Sequence, residues 1–450
     1  MKKLLFLIIC FGAFASCKNK KDYKTIFSDP FLYEKTIHDI GDVMIYDIFT
    51  PPVASRIFTY SNIAAYEVLS RGNDNYPSLT GKVMDLNNIP NPENKEKIYF
   101  PFASIIALTR VSKELTFSDD TMQHLIDSIK TLAKNSNMPD DIYESSVKYG
   151  EQVADSVMAW SKKDNYAQTR GARWTISNQE GHWKPTPPGY FDAVEPKWMT
   201  MRCIAMDSAN MFPAPGLPPF STKPGSDFYK MALGVMDTVN NLTTTQKWIA
   251  NFWDCNSFKL HVAGHMMFAT KAMTPCGHWM EITGTVCKLK HADFYKTAYT
   301  YTAVSIGMFD AFIASWYCKY HWDVIRPETY INMYINPDWQ PYLQTPPFPE
   351  YNSAHSTISA ASATILTKIY GDNFSFKDSS ERTWGWPDRT FKSFDAAAME
   401  VSMSRLYGGI HFRKSVLDAY EQGKKIGACV INKLMAKNNN TVDAQKISTN

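Results

Sequence analysis

Beyond its first residues, this chain has no apolar run long enough to cross a bilayer as a helix, which excludes a multi-spanning membrane protein. It also lacks a strong charge of either sign. Lys plus Arg number 47 against 44 Asp plus Glu, a formal net charge of +3, with no basic stripe, so no nucleic-acid partner is expected. Cysteine is sparse, at eight residues with no CxxC and no dense framework. Buried free thiols and disulfides both remain open, with Cys276 and Cys287 as the first pair to test. No internal repeat occurs, and strand-like alternation is scarce.

What is present is a globular composition. Of 450 residues, 44% are hydrophobic and 20% charged, enough for a substantial core in one large domain or two ordinary ones. Lys2 and Lys3 precede the apolar run Leu4 to Phe14, which reads as a secretory signal. Ala15-Ser16-Cys17 follows and resembles a bacterial lipobox. Residues 1–17 are therefore expected to export the chain to the periplasm or to a membrane, reached only through an N-terminal lipid anchor. Lys18, Lys20, Lys21 and Lys24 then read as a solvated tether.

The remainder reads as helical. Val53, Ile57, Tyr60, Ala64 and Val68 recur at helical spacing behind Pro51-Pro52. Similar patterns run from Phe102 to Leu115, Met122 to Ala133 and Ile142 to Trp160, giving a helical N-terminal domain over 18–226. From Asn165 to Ser226 the periodicity dissolves into prolines, glycines and aromatics. A connector this long is usually functional, and its aromatics suggest a packed cover. Helical periodicity resumes near Phe228 and includes Ala292 to Tyr320, a face beginning at Ile358, and a last face from Val416 to Leu434, placing a second helical domain over 227–436. The Asn438-Asn439-Asn440 run marks 437–450 as a disordered tail.

Three short motifs carry the chemistry: Lys319-x6-Arg326-Pro327, Asn352-Ser353-Ala354-His355, and Ser404-Arg405-x5-His411. Two guanidiniums and an ammonium can neutralise the oxygens of a tetrahedral anion. Ser353 and the N–H of Ala354, at a helix start, add neutral donors. One histidine can bond the central atom while the other moves protons. Singly, each motif has a plain alternative: a cationic helix C-terminus for Lys319 and Arg326, an N-cap for Ser353, a structural pair for Arg405 and His411. Gly408-Gly409 should end the helix carrying Arg405 and turn His411 inward. His261 and His265, four apart, would share a helix face, but Val262 stands where a zinc protease needs glutamate. His278 belongs to no visible constellation.

The three motifs resemble the superfamily that joins vanadium-dependent haloperoxidases to type 2 phosphatidic acid phosphatases and class A bacterial acid phosphatases. Its pattern reads K-x6-R-P, P-S-G-H and S-R-x5-H-x3-D. The resemblance implies an all-α fold of two packed helical bundles, with the catalytic bundle in the C-terminal half. It implies an oxyanion held by Lys319, Arg326, Ser353, Ala354 and Arg405. His411 bonds vanadium or serves as the phosphohistidine nucleophile, and His355 is the acid–base partner. Asp254 resembles an aspartate that pairs with the second arginine, and Trp316 and Phe348 resemble residues on the halide side. The implied function is vanadate-dependent halide oxidation by hydrogen peroxide. The alternatives are an acid phosphatase acting on a phosphate ester without vanadate, or a non-catalytic oxyanion-binding lipoprotein. Oligomeric state is not legible.

Three positions depart from that pattern. Asn352 replaces proline and should loosen the approach to the loop. Ala354 replaces glycine and adds a methyl. Ser415 stands where an aspartate is expected and removes a carboxylate that could orient a histidine.

Overall fold

The computed structural model describes residues 22–436. The signal segment, Cys17 and the 437–450 tail lie outside the described residues. Proline sets several helix starts. Pro30, Pro51, Pro101, Pro275 and Pro327 all sit in a first helical turn, where a missing N–H costs no hydrogen bond. Asp29, Ser226, Thr243, Thr274, Asp293, Ser353 and Ser393 cap their helices by accepting a backbone N–H.

The N-terminal half contributes helices Pro30–Tyr46, Pro51–Ser70, Phe100–Leu115, Asp119–Asn135 and Asp140–Ser161. The C-terminal half contributes Asp227–Asn240, Thr244–Phe252, Pro275–Leu289, Phe294–Trp322, Pro327–Tyr334, Ala354–Tyr370, Phe394–Tyr407 and Arg413–Met435. An apolar core runs through both halves, from Tyr23 to Leu434. The Phe294–Trp322 helix lies at its centre, against Pro51–Ser70 on one side and Ala354–Tyr370 on the other. Its near-continuous apolar sequence follows from burial all round rather than on one face.

Small residues bring two helices of the C-terminal half together. A Cβ at Gly423 would lie 2.2 Å from the Thr357 carbonyl oxygen, and one at Gly427 2.5 Å from that of Ala361. These glycines, one turn apart, let Arg413–Met435 lie backbone to backbone against Ala354–Tyr370. That contact fixes the helix starting beside His355 against the one that follows His411.

The Pro-rich segment is packed. Trp183 and Trp198 are fully buried. The N–H groups of Ile204, Ala205 and Met206 converge on the buried carboxylate of Asp310, at 2.7, 2.8 and 2.8 Å. The Val194 carbonyl accepts from Trp316 Nε1 at 3.3 Å and Tyr320 Oη at 2.6 Å. The segment thus lies across the central helix next to Lys319, as its aromatic content suggests.

Two readings fail. Cys276 and Cys287 are free thiols on one helix, eleven residues and about 16 Å apart along its axis, too far for a disulfide. His261 and His265 share no helix face. Strand Lys259–Ala263 pairs with Met266–Thr270 as a hairpin whose turn holds His265, and His261 stacks on Phe268 across the strands. A second small hairpin pairs Phe376–Asp378 with Arg389–Phe391.

Candidate active site

The three motifs arrive at one place from helix ends. Lys319 lies in the last turn of Phe294–Trp322, and Arg326 immediately precedes the helix begun by Pro327. Ser353 caps Ala354–Tyr370, with His355 in the first turn. Arg405 lies in the last turn of Phe394–Tyr407. Gly409, in the left-handed region at φ 75°, then reverses the chain so that His411 points back inward. Lys319, Arg326, Arg405 and His411 are all buried.

His411 has its two nitrogens assigned by its neighbours. Nδ1 lies 2.8 Å from Glu350 Oε1, an acceptor, while Arg326 Nη1 donates toward Nε2 at 3.3 Å. The ring therefore carries its proton on Nδ1 and presents a lone pair at Nε2. Burial, then Arg326, Lys319, Arg405 and His355, hold its pKa well below the ordinary imidazole range. Burial and these cations therefore favour the neutral form of His411.

Glu350 was missed in the sequence, and it changes the meaning of Ser415. Glu350 Oε1 also accepts the Phe412 N–H at 2.9 Å, and Oε2 accepts the Ser415 hydroxyl at 2.6 Å. The carboxylate absent at 415 is supplied from 350, and Ser415 orients it. The signal was Glu350 itself, a lone acid in Pro349-Glu350-Tyr351 directly before the serine–histidine motif.

Asn352 does not loosen its loop. It is fully buried, accepts from Ser315 Oγ at 2.9 Å and donates to Gln422 Oε1 at 2.7 Å. Its carbonyl accepts from Lys319 Nζ at 2.6 Å, and that ammonium also reaches the carbonyls of Pro349 at 3.1 Å and Glu350 at 3.2 Å. Lys319 thus shapes the loop through three carbonyls. Burial, then Arg326, pulls its pKa well down.

Arg326 donates to the carbonyls of Phe348 and Ile410, each at 2.8 Å. Arg405 is held by the carbonyls of Trp253 at 2.6 Å and Asp254 at 3.5 Å, and by Ser404 Oγ at 3.0 Å. Asp254 meets Arg405 through its carbonyl while its side chain reaches Lys259 at 3.4 Å, and its carboxylate favours the guanidinium's charge from nearby without a direct ion pair. Phe348 lies under both cations, 4.8 Å from Lys319 Nζ and 5.1 Å from the Arg326 guanidinium, and packs on Trp316 at 5.1 Å.

Two buried polar atoms in this group lack a partner: Arg326 Nη2 and His355 Nε2. Orphaned groups of this kind are costly in a native interior. The buried guanidiniums of Arg326 and Arg405 add positive charge that Glu350, Glu328 and Asp254 offset. A tetrahedral oxyanion would partner both orphaned atoms. Ser353 Oγ, which accepts from Ser356 Oγ at 2.8 Å, retains its own hydrogen to donate, and the N–H of Ala354 opens a helix. The residues present therefore fit vanadate or phosphate.

Residues 299–440 match the family described as the VCPO second helical-bundle domain. No curated protein matches the chain. The crystal structure of the first bacterial vanadium-dependent iodoperoxidase is similar at TM-score 0.84 and 42% identity, over 90% of this chain and 96% of that one. A bacterial vanadium-dependent chloroperoxidase is similar in its holo and apo forms, at TM-scores of 0.65 and 0.66 and 16% identity. Those two cover 86% and 92% of this chain and 93% and 98% of theirs, and show the fold alone. With 42% identity carried across nearly the whole length of both chains, this protein belongs to the vanadium-dependent haloperoxidases.

Proposed function

We propose that the chain binds vanadate through His411 Nε2 and oxidises halide with hydrogen peroxide, with iodide as its first substrate. The tautomer of His411 carries this reading: Glu350 below and Arg326 beside it leave one lone pair among buried cations. Likeness to an iodoperoxidase supports the choice of halide.

Bound vanadate would supply a Lewis acid that activates peroxide toward halide. The protein's part follows from its own geometry. Arg326, Arg405 and Lys319 neutralise the anion's oxygens, with Ser353 Oγ and the Ala354 N–H as neutral donors. His355 lies against the backbone of Asp254 and leaves its Nε2 buried and unpartnered. Burial, then Arg405 and Lys319, hold His355 well below the usual range. His355 is therefore a neutral base, placed to take a proton from incoming peroxide. Phe348 and Trp316 form an apolar wall suited to a large, weakly hydrated anion. Export through residues 1–17, with a lipid on Cys17, completes the reading.

The test uses purified protein with orthovanadate and hydrogen peroxide, offered iodide, bromide and chloride in turn. Vanadate-dependent iodide oxidation that His411→Ala abolishes is the expected result. Vanadate-inhibited hydrolysis of p-nitrophenyl phosphate would instead make the chain a phosphatase, and inactivity in both assays would leave an anion-binding protein.

A further inference from the structure

Directly behind the Arg405 carbonyls lies a second buried cluster that the haloperoxidase chemistry does not use. Cys255 Sγ, His278 Nδ1 and Glu381 Oε1 come from three separate segments, yet all lie within 4.8 Å of one another. All three residues are buried. Asp378 Oδ2 sits 2.7 Å from the other ring nitrogen of His278, and Trp253 stacks on the ring at 4.4 Å.

We propose that Cys255, His278 and Glu381 form a site for a zinc-like divalent cation, with Asp378 orienting the imidazole. Three observations carry it. The Sγ–Nδ1 and Nδ1–Oε1 separations are 3.4 and 3.2 Å. They match the edges of about 3.3–3.6 Å that a tetrahedron with bonds of about 2.0–2.3 Å would give. Next, one Nδ1 faces two potential acceptors but carries at most one hydrogen. Glu381 Oε1 is left buried and aimed into the cluster without a hydrogen bond, and a cation would satisfy it. Finally, a carboxylate on the far nitrogen of a ligating histidine is the usual outer support of a metal site.

Thiolate, imidazole and carboxylate together suit a borderline-soft divalent ion. Its two charges would be met by the Cys255 thiolate and the Glu381 carboxylate. Binding would release the thiol proton and any proton shared by His278 and Glu381. Because the ligands must be deprotonated to bind, affinity should climb with pH. The fourth position is left to water. Such an ion would tie Cys255 to the helix Pro275–Leu289 and to the Ser380–Trp384 turn. It would thereby brace the Trp253–Cys255 turn that holds Arg405 and contacts His355.

The experiment is a cobalt(II) titration of purified protein stripped with chelator, read by thiolate-to-cobalt charge-transfer absorption, with zinc content measured on protein as first purified. One equivalent with a charge-transfer band is expected, with the band absent in Cys255→Ser and affinity falling about tenfold to a hundredfold in Asp378→Asn. Should Cys255→Ser fail to fold, Glu381→Gln reads the same point, because it keeps the thiolate and should show the band only at higher cobalt. No band in the wild type, or titrations unchanged by Glu381→Gln and Asp378→Asn, overturn the site. Neither readout depends on turnover, so the haloperoxidase reading stands or falls separately.

Discussion

Two buried polar clusters meet at the Trp253–Cys255 turn, and they are opposite in kind. On one side Lys319, Arg326 and Arg405 surround two neutral histidines, with a partner missing at Arg326 Nη2 and His355 Nε2. On the other, Cys255, Asp378 and Glu381 surround His278, with a partner missing at Glu381 Oε1. Their electrostatics drive the histidines in opposite directions. Burial, and then the neighbouring cations, push His355 and His411 down. At His278 burial also pulls down, but Asp378 and Cys255 outweigh it and the ring is held up. The contrast teaches that a histidine's role here is set by the sign of its neighbours and not by depth, since all three are well enclosed. The chemistry of the first cluster suits an anion and that of the second a cation.

The largest effect is expected from removing a cation of the first cluster. Arg405→Ala should weaken phosphate or vanadate binding about a hundredfold or more, since charge-assisted hydrogen bonds contribute about 1.5–3 kcal/mol each. Isothermal calorimetry checks it, with Arg405→Lys recovering only part because an ammonium lacks the planar fork. Unchanged affinity in Arg405→Ala would remove the residue from the anion's shell.

Glu350 offers the next test, because its carboxylate bonds His411 Nδ1 directly. Glu350→Gln should weaken vanadate binding about tenfold to a hundredfold by loosening the tautomer of His411. The second substitution Ser415→Asp, which restores the acid that the family pattern places there, should recover much of the loss. If the double variant binds no better than Glu350→Gln alone, Glu350 acts through packing and not through His411 Nδ1.

These two residues also show how far the sequence could be read. The cationic cluster was legible because its members sit in compact motifs at helix ends, where Pro327, Ser353 and Gly409 mark the boundaries locally. Glu350 was not, because its role depends on a histidine 61 residues away, and the missing acid at 415 pointed to loss where the chain had relocated the charge. The second cluster was less legible still. Cys255, His278, Asp378 and Glu381 come from three segments, and no spacing relates them. The main helices followed from apolar periodicity. The Lys259–Thr270 hairpin did not, since His261 and His265 sit at a spacing compatible with a helix.

His355 gives a pH signature that separates the clusters further. Its folded pKa lies well below 6.5, so between that value and 6.5 the unfolded chain binds a proton that the folded chain does not. Stability contributed at this position is complete above 6.5 and is lost as pH falls below it, by up to about 1.4 kcal/mol per pH unit. Raised carboxylates such as Glu381 and Asp310 work in the opposite sense, so the measurement must be a difference. Denaturant midpoints of wild type and His355→Asn, taken from pH 8 to 5 without added anion, should move in the variant's favour on acidification. A gap that stays constant would mean that His355 titrates in the fold as it does in the unfolded chain, and that burial does not hold its pKa down.

The smallest effect is expected at Ala354, where a methyl stands in place of the family's glycine. That methyl sits on the first residue of a helix, next to Ser353 and the buried loop that Asn352 pins. The backbone N–H is the functional group there, and alanine keeps it. Ala354→Gly should therefore change anion affinity by less than about threefold, while costing at most about 1 kcal/mol of stability through the lower helix propensity of glycine. Halide oxidation assayed side by side should rise slightly if the methyl crowds the anion and stay level if it does not. A gain of tenfold or more would show that the alanine, and not the placement of the cations, sets the ceiling on turnover in the first cluster.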